Sequence, residues 1–125
     1  MLPTKPILLI EDDDVDVLSL QRAFRELEIS NELICRKNGE EAIEYLNPED
    51  SDLPGLILLD LNMPRMNGIE FLTHIKNKDR LKVIPVVVLT TSSNRTDIEK
   101  SYDLQVAGYM IKPIDLSILD IPFGQ

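Results

Sequence analysis

The sequence predicts an α/β fold, a doubly wound parallel sheet of five strands with helices on both faces. Three observations lead there. Short aliphatic runs alternate with stretches of helical periodicity along the whole chain. The central run, Leu56-Ile57-Leu58-Leu59, is apolar at four successive positions, which suits a strand covered on both faces better than one half exposed to water. Several runs also end in charged or hydroxyl residues, and in a parallel sheet those ends share one edge, where ligands gather.

Taken in order, Ile7 to Ile10 forms the first strand, after Pro6 and before Glu11-Asp12-Asp13-Asp14. From about Asp14 to Leu27 the apolar residues Val17, Leu20, Phe24 and Leu27 recur at helical spacing, with acids in the first turn where the helix dipole favours them. Glu32 to Lys37, containing Leu33, Ile34 and Cys35, reads as a weaker second strand. Asn38-Gly39 reads as a turn, Glu40 to Leu46 as a short helix with Ala42, Ile43 and Leu46 on one side, and Asn47 to Pro54 as a loop. The third strand ends at Asp60, and the loop after it is expected to be shaped by Pro64 and by a permissive φ at Gly68. Ile69, Leu72 and Ile75 mark a third helix that runs into the basic stretch Lys76 to Lys82. Pro85 to Leu89 is a β-branched fourth strand followed by Thr90-Thr91-Ser92-Ser93. Ser93 or Asn94 then caps a helix from about Arg95 to Leu104, whose apolar face of Ile98 and Tyr102 is thin enough to make it a candidate moving part. Gly108 to Ile111 is the last strand, ended by Lys112-Pro113.

A chain of 125 residues is read as one domain, 1–125. Twenty-two acidic against thirteen basic residues give a formal charge of −9, which argues against direct contact with a nucleic-acid backbone. No apolar run approaches the roughly 20 residues that span a bilayer, and the amino terminus has no tripartite signal pattern. A cytoplasmic location without membrane contact is the resulting expectation. Cys35 has no second cysteine to pair with and is read as a small, inert core residue. His74, without a second His or Cys, is read as a surface side chain rather than a metal ligand.

The strand ends bring together Glu11 and Asp12, Asp60, Thr90 and Lys112. Three converging carboxylates repel one another, and a hard divalent cation with oxygen ligands, Mg2+ above all, relieves that repulsion. The Thr90 hydroxyl and the Lys112 ammonium are suited to the oxygens of an anion delivered to the same place. Carboxylate, cation, hydroxyl and lysine together form equipment for phosphoryl transfer, with Asp60 as the nucleophile that becomes an acyl phosphate.

These residues resemble the response-regulator receiver domains of two-component signalling. The resemblance is carried by Ile-Leu-Leu-Ile-Glu-Asp-Asp at 7–13, Leu-Leu-Asp-Leu-Asn-Met-Pro-Arg-Met-Asn-Gly at 58–68, Val-Val-Val-Leu-Thr-Thr-Ser at 86–92 and Gly-Tyr-Met-Ile-Lys-Pro at 108–113. Within the family the chain looks most like stand-alone regulators associated with bacterial and cyanobacterial phytochrome kinases. The resemblance implies a flavodoxin-like strand order 2-1-3-4-5 and a phosphoryl group accepted by Asp60 from a histidine kinase. It implies Mg2+ held by Glu11, Asp12, Asp60 and the backbone carbonyl of Asn62. It also implies a switch formed by Thr90 and Tyr109, a Lys112 that meets the phosphoryl group, and a cis Lys112-Pro113 peptide. Kinase recognition is expected through the first helix near Val15 to Leu18, and output through a downstream protein. The domain would be no conventional enzyme, its own chemistry being slow self-phosphorylation and self-dephosphorylation.

One departure concerns residues 114–125, where Ile114 to Ile121 meets Pro122 after about two helical turns. A stunted fifth helix is expected to leave apolar strand surface bare, to be covered by a second copy or a partner on the face of the fourth helix, fifth strand and tail. A Mg2+-dependent phosphohydrolase shares the nucleophile, but such enzymes commonly place an acid two residues later, where this chain has Asn62. A flavin or nucleotide binder needs phosphate-binding backbone N–H groups in its first loop, which here is Glu11-Asp12-Asp13-Asp14 and repels phosphate.

Overall fold

The structure is a computed structural model and describes residues 5–49, 52–61, 68–90 and 95–112. Five parallel strands, β1 (Ile7–Ile10), β2 (Leu33–Arg36), β3 (Leu56–Asp60), β4 (Val86–Thr90) and β5 (Gly108–Ile111), form one sheet in the order β2-β1-β3-β4-β5. The helices are α1 (Asp14–Glu26), α2 (Gly39–Leu46), α3 (Gly68–Lys76) and α4 (Arg95–Asp103). This is the flavodoxin-like topology expected from the sequence.

The alternation of side chains along the strands divides the core in two. Ile7, Leu9, Leu56, Leu58, Val87, Leu89 and Met110 pack with Leu20 and Phe24 of α1 on one face. Leu8, Ile10, Ile57, Leu59, Val86 and Val88 pack on the other with Ala42 and Leu46 of α2 and Phe71, Leu72 and Ile75 of α3. Strands β1, β3 and β4 are buried throughout, as their unbroken aliphatic sequences require. The sheet edges differ: β2 is half-buried along its length, and in β5 only Met110 is buried.

Local chemistry moves several boundaries from their expected places. Asn38 caps α2 through a hydrogen bond from the Glu41 N–H at 2.9 Å, so Asn38-Gly39 opens the helix rather than forming a separate turn. Leu27 closes α1 and is exposed, because the chain leaves the helix through Glu28 at φ 55°. The Ile29 N–H then reaches the Phe24 carbonyl at 2.9 Å, a closing bond that turns the chain back towards the sheet. Gly68 does not adopt a positive φ; it is needed because α3 starts against the end of β3. A Cβ there would lie 2.7 Å from Leu61 Cα and 3.0 Å from the Asp60 carbonyl oxygen.

The carboxyl ends of α2 and α3 are held by basic side chains. Arg80 donates to the carbonyls of Leu46 and Pro48, at 2.8 Å each. Lys76 donates to those of Lys82 and Gln105, at 3.3 Å each, and its burial lowers its pKa. Helix α4 is as thinly anchored as expected, with Ser101 its buried residue and Tyr102 exposed. Cys35, on the edge strand, is half-buried and packs against the α1-side core, and burial raises its thiol pKa. His74 is half-buried, with its Nε2 atom inaccessible, rather than a surface side chain.

The expected bare strand surface is not found at Val87, Leu89 and Met110, which are buried within the α1-side core. The apolar side chains open on β5 are Tyr109 and Ile111, whose alternation points them away from that core. The tail 114–125, the Lys112-Pro113 peptide, Asn62, Pro64, Ser93 and Asn94 lie outside the described residues.

Candidate functional site at the carboxyl edge of the sheet

Parallel pairing places the polar strand ends side by side. The last β1–β3 pair is Ile10 with Leu59, so Glu11 follows beside Asp60, and Asp60 in turn pairs with Leu89 across β3–β4. Thr90 pairs with Ile111, and the Lys112 N–H donates to the Thr90 carbonyl at 2.9 Å. Four of the expected residues, Glu11, Asp60, Thr90 and Lys112, thus stand on adjoining strand ends, and Asp12 follows Glu11 into the loop.

Glu11, Asp60 and Thr90 are buried, whereas Asp12 is exposed. Carboxylate oxygens of Glu11, Asp12 and Asp60 all lie within 4.8 Å of one another. Such a cluster of oxygen donors, two of them shielded from water, fits a hard divalent cation. Asp13, the next acid, is committed elsewhere: its carboxylate caps α1 by accepting from the Val15 N–H at 2.8 Å and the Asp16 N–H at 3.3 Å.

Glu11 is held at both oxygens, Oε1 accepting from the Asp13 N–H at 3.2 Å and Oε2 from Lys112 Nζ at 3.0 Å. Burial pushes its carboxyl up to about 7 from 4.5; the Lys112 hydrogen bond opposes that rise and the charge of Asp60 adds to it. Burial alone would lower the Lys112 pKa, but hydrogen bonds to Asp16 and Glu11, with the charge of Asp60, outweigh it and raise the value. Lys112 Nζ lies 3.6 Å from Asp60 Oδ2, an ion pair longer than its contact with Glu11.

Asp16 is the residue that the sequence did not single out. Its Oδ2 accepts from Lys112 Nζ at 2.8 Å, the shortest contact that ammonium makes with the three carboxylates around it. In the sequence it looks like any acid in the first turn of a helix, and its partner is 96 residues away. Tyr109, the expected aromatic of the switch, is exposed, with its ring edge-on to Tyr102 at 5.8 Å between centroids.

Residues 7–120 match the family model described as the response regulator receiver domain. The chain is 44% identical over 121 residues to the response regulator Rcp1 of Synechocystis sp. (strain ATCC 27184 / PCC 6803 / Kazusa), covering 94% of this chain and 82% of Rcp1. It is 38% identical over 116 residues to the probable methanogenesis regulatory protein FilR2 of Methanothrix harundinacea (strain 6Ac), covering 90% and 75% of the two chains. Among solved structures, the Mn2+-bound form of Rcp1 superposes with a TM-score of 0.79 at 44% identity over 90% of this chain and 84% of the other. The phosphorylated cyanobacterial phytochrome response regulator RcpA does so with 0.80 at 43% identity over 91% and 84%.

Proposed function

Since the chain belongs to the response regulator receiver family of two-component signalling, we propose that it is a phosphorylation switch whose acceptor is Asp60. A phosphohistidine of a sensor kinase is the donor. A carboxylate oxygen of Asp60 attacks phosphorus, the P–N bond breaks, the imidazole leaves with the electron pair, and an acyl phosphate remains on Asp60. The resident cation, Mg2+ in this reading, neutralises charge on the transferring group when bound. Glu11, Asp12 and Asp60 would hold it, joined by the Asn62 carbonyl as the family resemblance implies. Thr90 and Lys112 receive phosphoryl oxygens, the hydroxyl by donating a hydrogen bond and the ammonium by a charge-assisted one.

The observation that carries this reading is the buried Asp60 carboxylate, within 4.8 Å of two further carboxylates and 3.6 Å from an ammonium, at one edge of the sheet. The relatives support it by their own descriptions, one as a Mn2+-bound form and one as phosphorylated. Thr90, drawn towards the phosphoryl group, makes room for Tyr109 to turn inward, which reshapes the surface of α4 and β5. The exposed Val15 and Leu18 of α1 form the surface for the kinase, which is of phytochrome type by the likeness to RcpA. The α4–β5 face with Tyr102, Tyr109 and Ile111 serves a downstream protein or a second copy. The match to 82% of the response regulator Rcp1 supports reading the chain as a regulator of that kind.

The test is the intact mass after incubation with acetyl phosphate, with and without Mg2+. One Mg2+-dependent phosphoryl adduct is expected on the wild type and none on Asp60→Asn. An adduct that persists on Asp60→Asn would move the acceptor elsewhere.

A further inference from the structure

We infer that Asp16 is a positioning residue that restrains Lys112 away from the phosphoryl acceptor in the resting state, an inference that rests on the phosphorylation reading above. The ammonium stands among three carboxylates at unequal distances, 2.8 Å from Asp16, 3.0 Å from Glu11 and 3.6 Å from Asp60. Its shortest contact is therefore with a helix residue outside the strand-end cluster, and its longest is with the residue it serves.

The three bonds also differ in what it takes to break them. The side chains of Glu11 and Asp60 are 0% and 3% exposed, so stripping the ammonium from either leaves a charge without water. Asp16 is 35% exposed, and water takes over its oxygen when Lys112 leaves. A phosphoryl group on Asp60 adds negative charge and acceptor oxygens beside the ammonium. The partner given up is then the solvated one, and Lys112 turns from Asp16 to the phosphoryl group. Glu11 remains the pivot, hydrogen-bonded to the same ammonium.

The restraint has a cost in rate: an ammonium shared with Asp16 places less positive charge on the incoming phosphoryl group than one directed at Asp60 alone. Its release also has a place of action. Asp16 lies in the first turn of α1 next to Val15, with Leu18 two residues on, both exposed. Phosphorylation therefore bares a carboxylate beside that apolar pair.

The test follows phosphorylation by acetyl phosphate at saturating Mg2+ in wild type, Asp16→Asn, Asp16→Ser and Asp16→Glu, each also in a Lys112→Ala background. Loss of the charge in Asn or Ser should speed phosphorylation by about threefold or more, a coupling usual for groups in one hydrogen-bonded network. Glu should keep the wild-type rate, and with Lys112→Ala the Asp16 substitutions should change nothing. Thermal midpoints of all variants separate this from a structural role, which would move stability without moving the rate. Unchanged or slower phosphorylation in folded Asn and Ser variants, or an equal acceleration without Lys112, would overturn the restraint while leaving Asp60 as acceptor. Absence of any adduct on the wild type would overturn the phosphorylation reading, and the restraint with it.

Discussion

A carboxyl that titrates near 4.5 in the unfolded chain and about 7 in the fold, as Glu11 does, ties stability to pH with a definite sign. Between those values the folded protein binds more protons than the unfolded one, so the Glu11 contribution falls as pH rises from about 4.5 to about 7, then stays level. Urea unfolding of metal-free protein should therefore lose more stability between pH 5 and 7.5 in wild type than in Glu11→Gln. The same proton competes with a cation, so Mg2+ affinity measured by calorimetry should weaken below pH 7, by up to about tenfold per unit. Thr90 is fully buried, and Thr90→Ala removes one hydroxyl without removing the nucleophile. Phosphorylation should persist with a weakened conformational response, and equal partner affinity of phosphorylated wild type and variant would contradict the switch. The residues of this site were legible because each one ends or follows an aliphatic run. Asp16 was not, since nothing local distinguishes an acid that pairs with Lys112 from one that complements a helix dipole.

Among the elements, the start of α3 is the least tolerant of change. Gly68→Ala would put a methyl group 2.7 Å from Leu61 Cα, and backbone cannot yield as a side-chain tip does. A loss of about 1–3 kcal/mol in urea unfolding is expected, as for other overpacked sites. Glu28, at φ 55°, invites the opposite change: Glu28→Gly removes a Cβ penalty of about 1–2 kcal/mol, against which glycine's extra unfolded-state entropy sets roughly 0.5–1 kcal/mol. A small net gain in thermal midpoint should result. The nine elements among the described residues could be read from periodicity, but their ends depend on bonds that periodicity does not carry. Asn38 reads equally well as a turn residue or a cap, and only the Glu41 N–H decides it. Gly68 reads as a φ requirement, whereas the reason for it is a neighbour seven residues back that the fold brings close.

For the whole molecule, alternation of strands and helices implies a parallel sheet but not the order of its strands; that came from the family resemblance, and the pairing agrees with it. The bareness expected from a short tail does not extend to Val87, Leu89 and Met110, which are buried in the core on the α1 side. Tyr102, Tyr109 and Ile111 remain open, and light scattering across concentration, with and without a phosphoryl mimic such as beryllofluoride, tests their use. A mass that rises with concentration in wild type and less in Tyr109→Ala would support self-association, and an invariant monomer mass in both conditions would reject it. The ion pair between Lys112 and Glu11 spans 101 positions of the chain. Until β5 is seated, Asp60 and Glu11 stand together without the Lys112 ammonium, so under the proposed switch the site is assembled in full only when that strand has joined the sheet. Readiness to accept a phosphoryl group would then report that the sheet has closed on the last of its described strands.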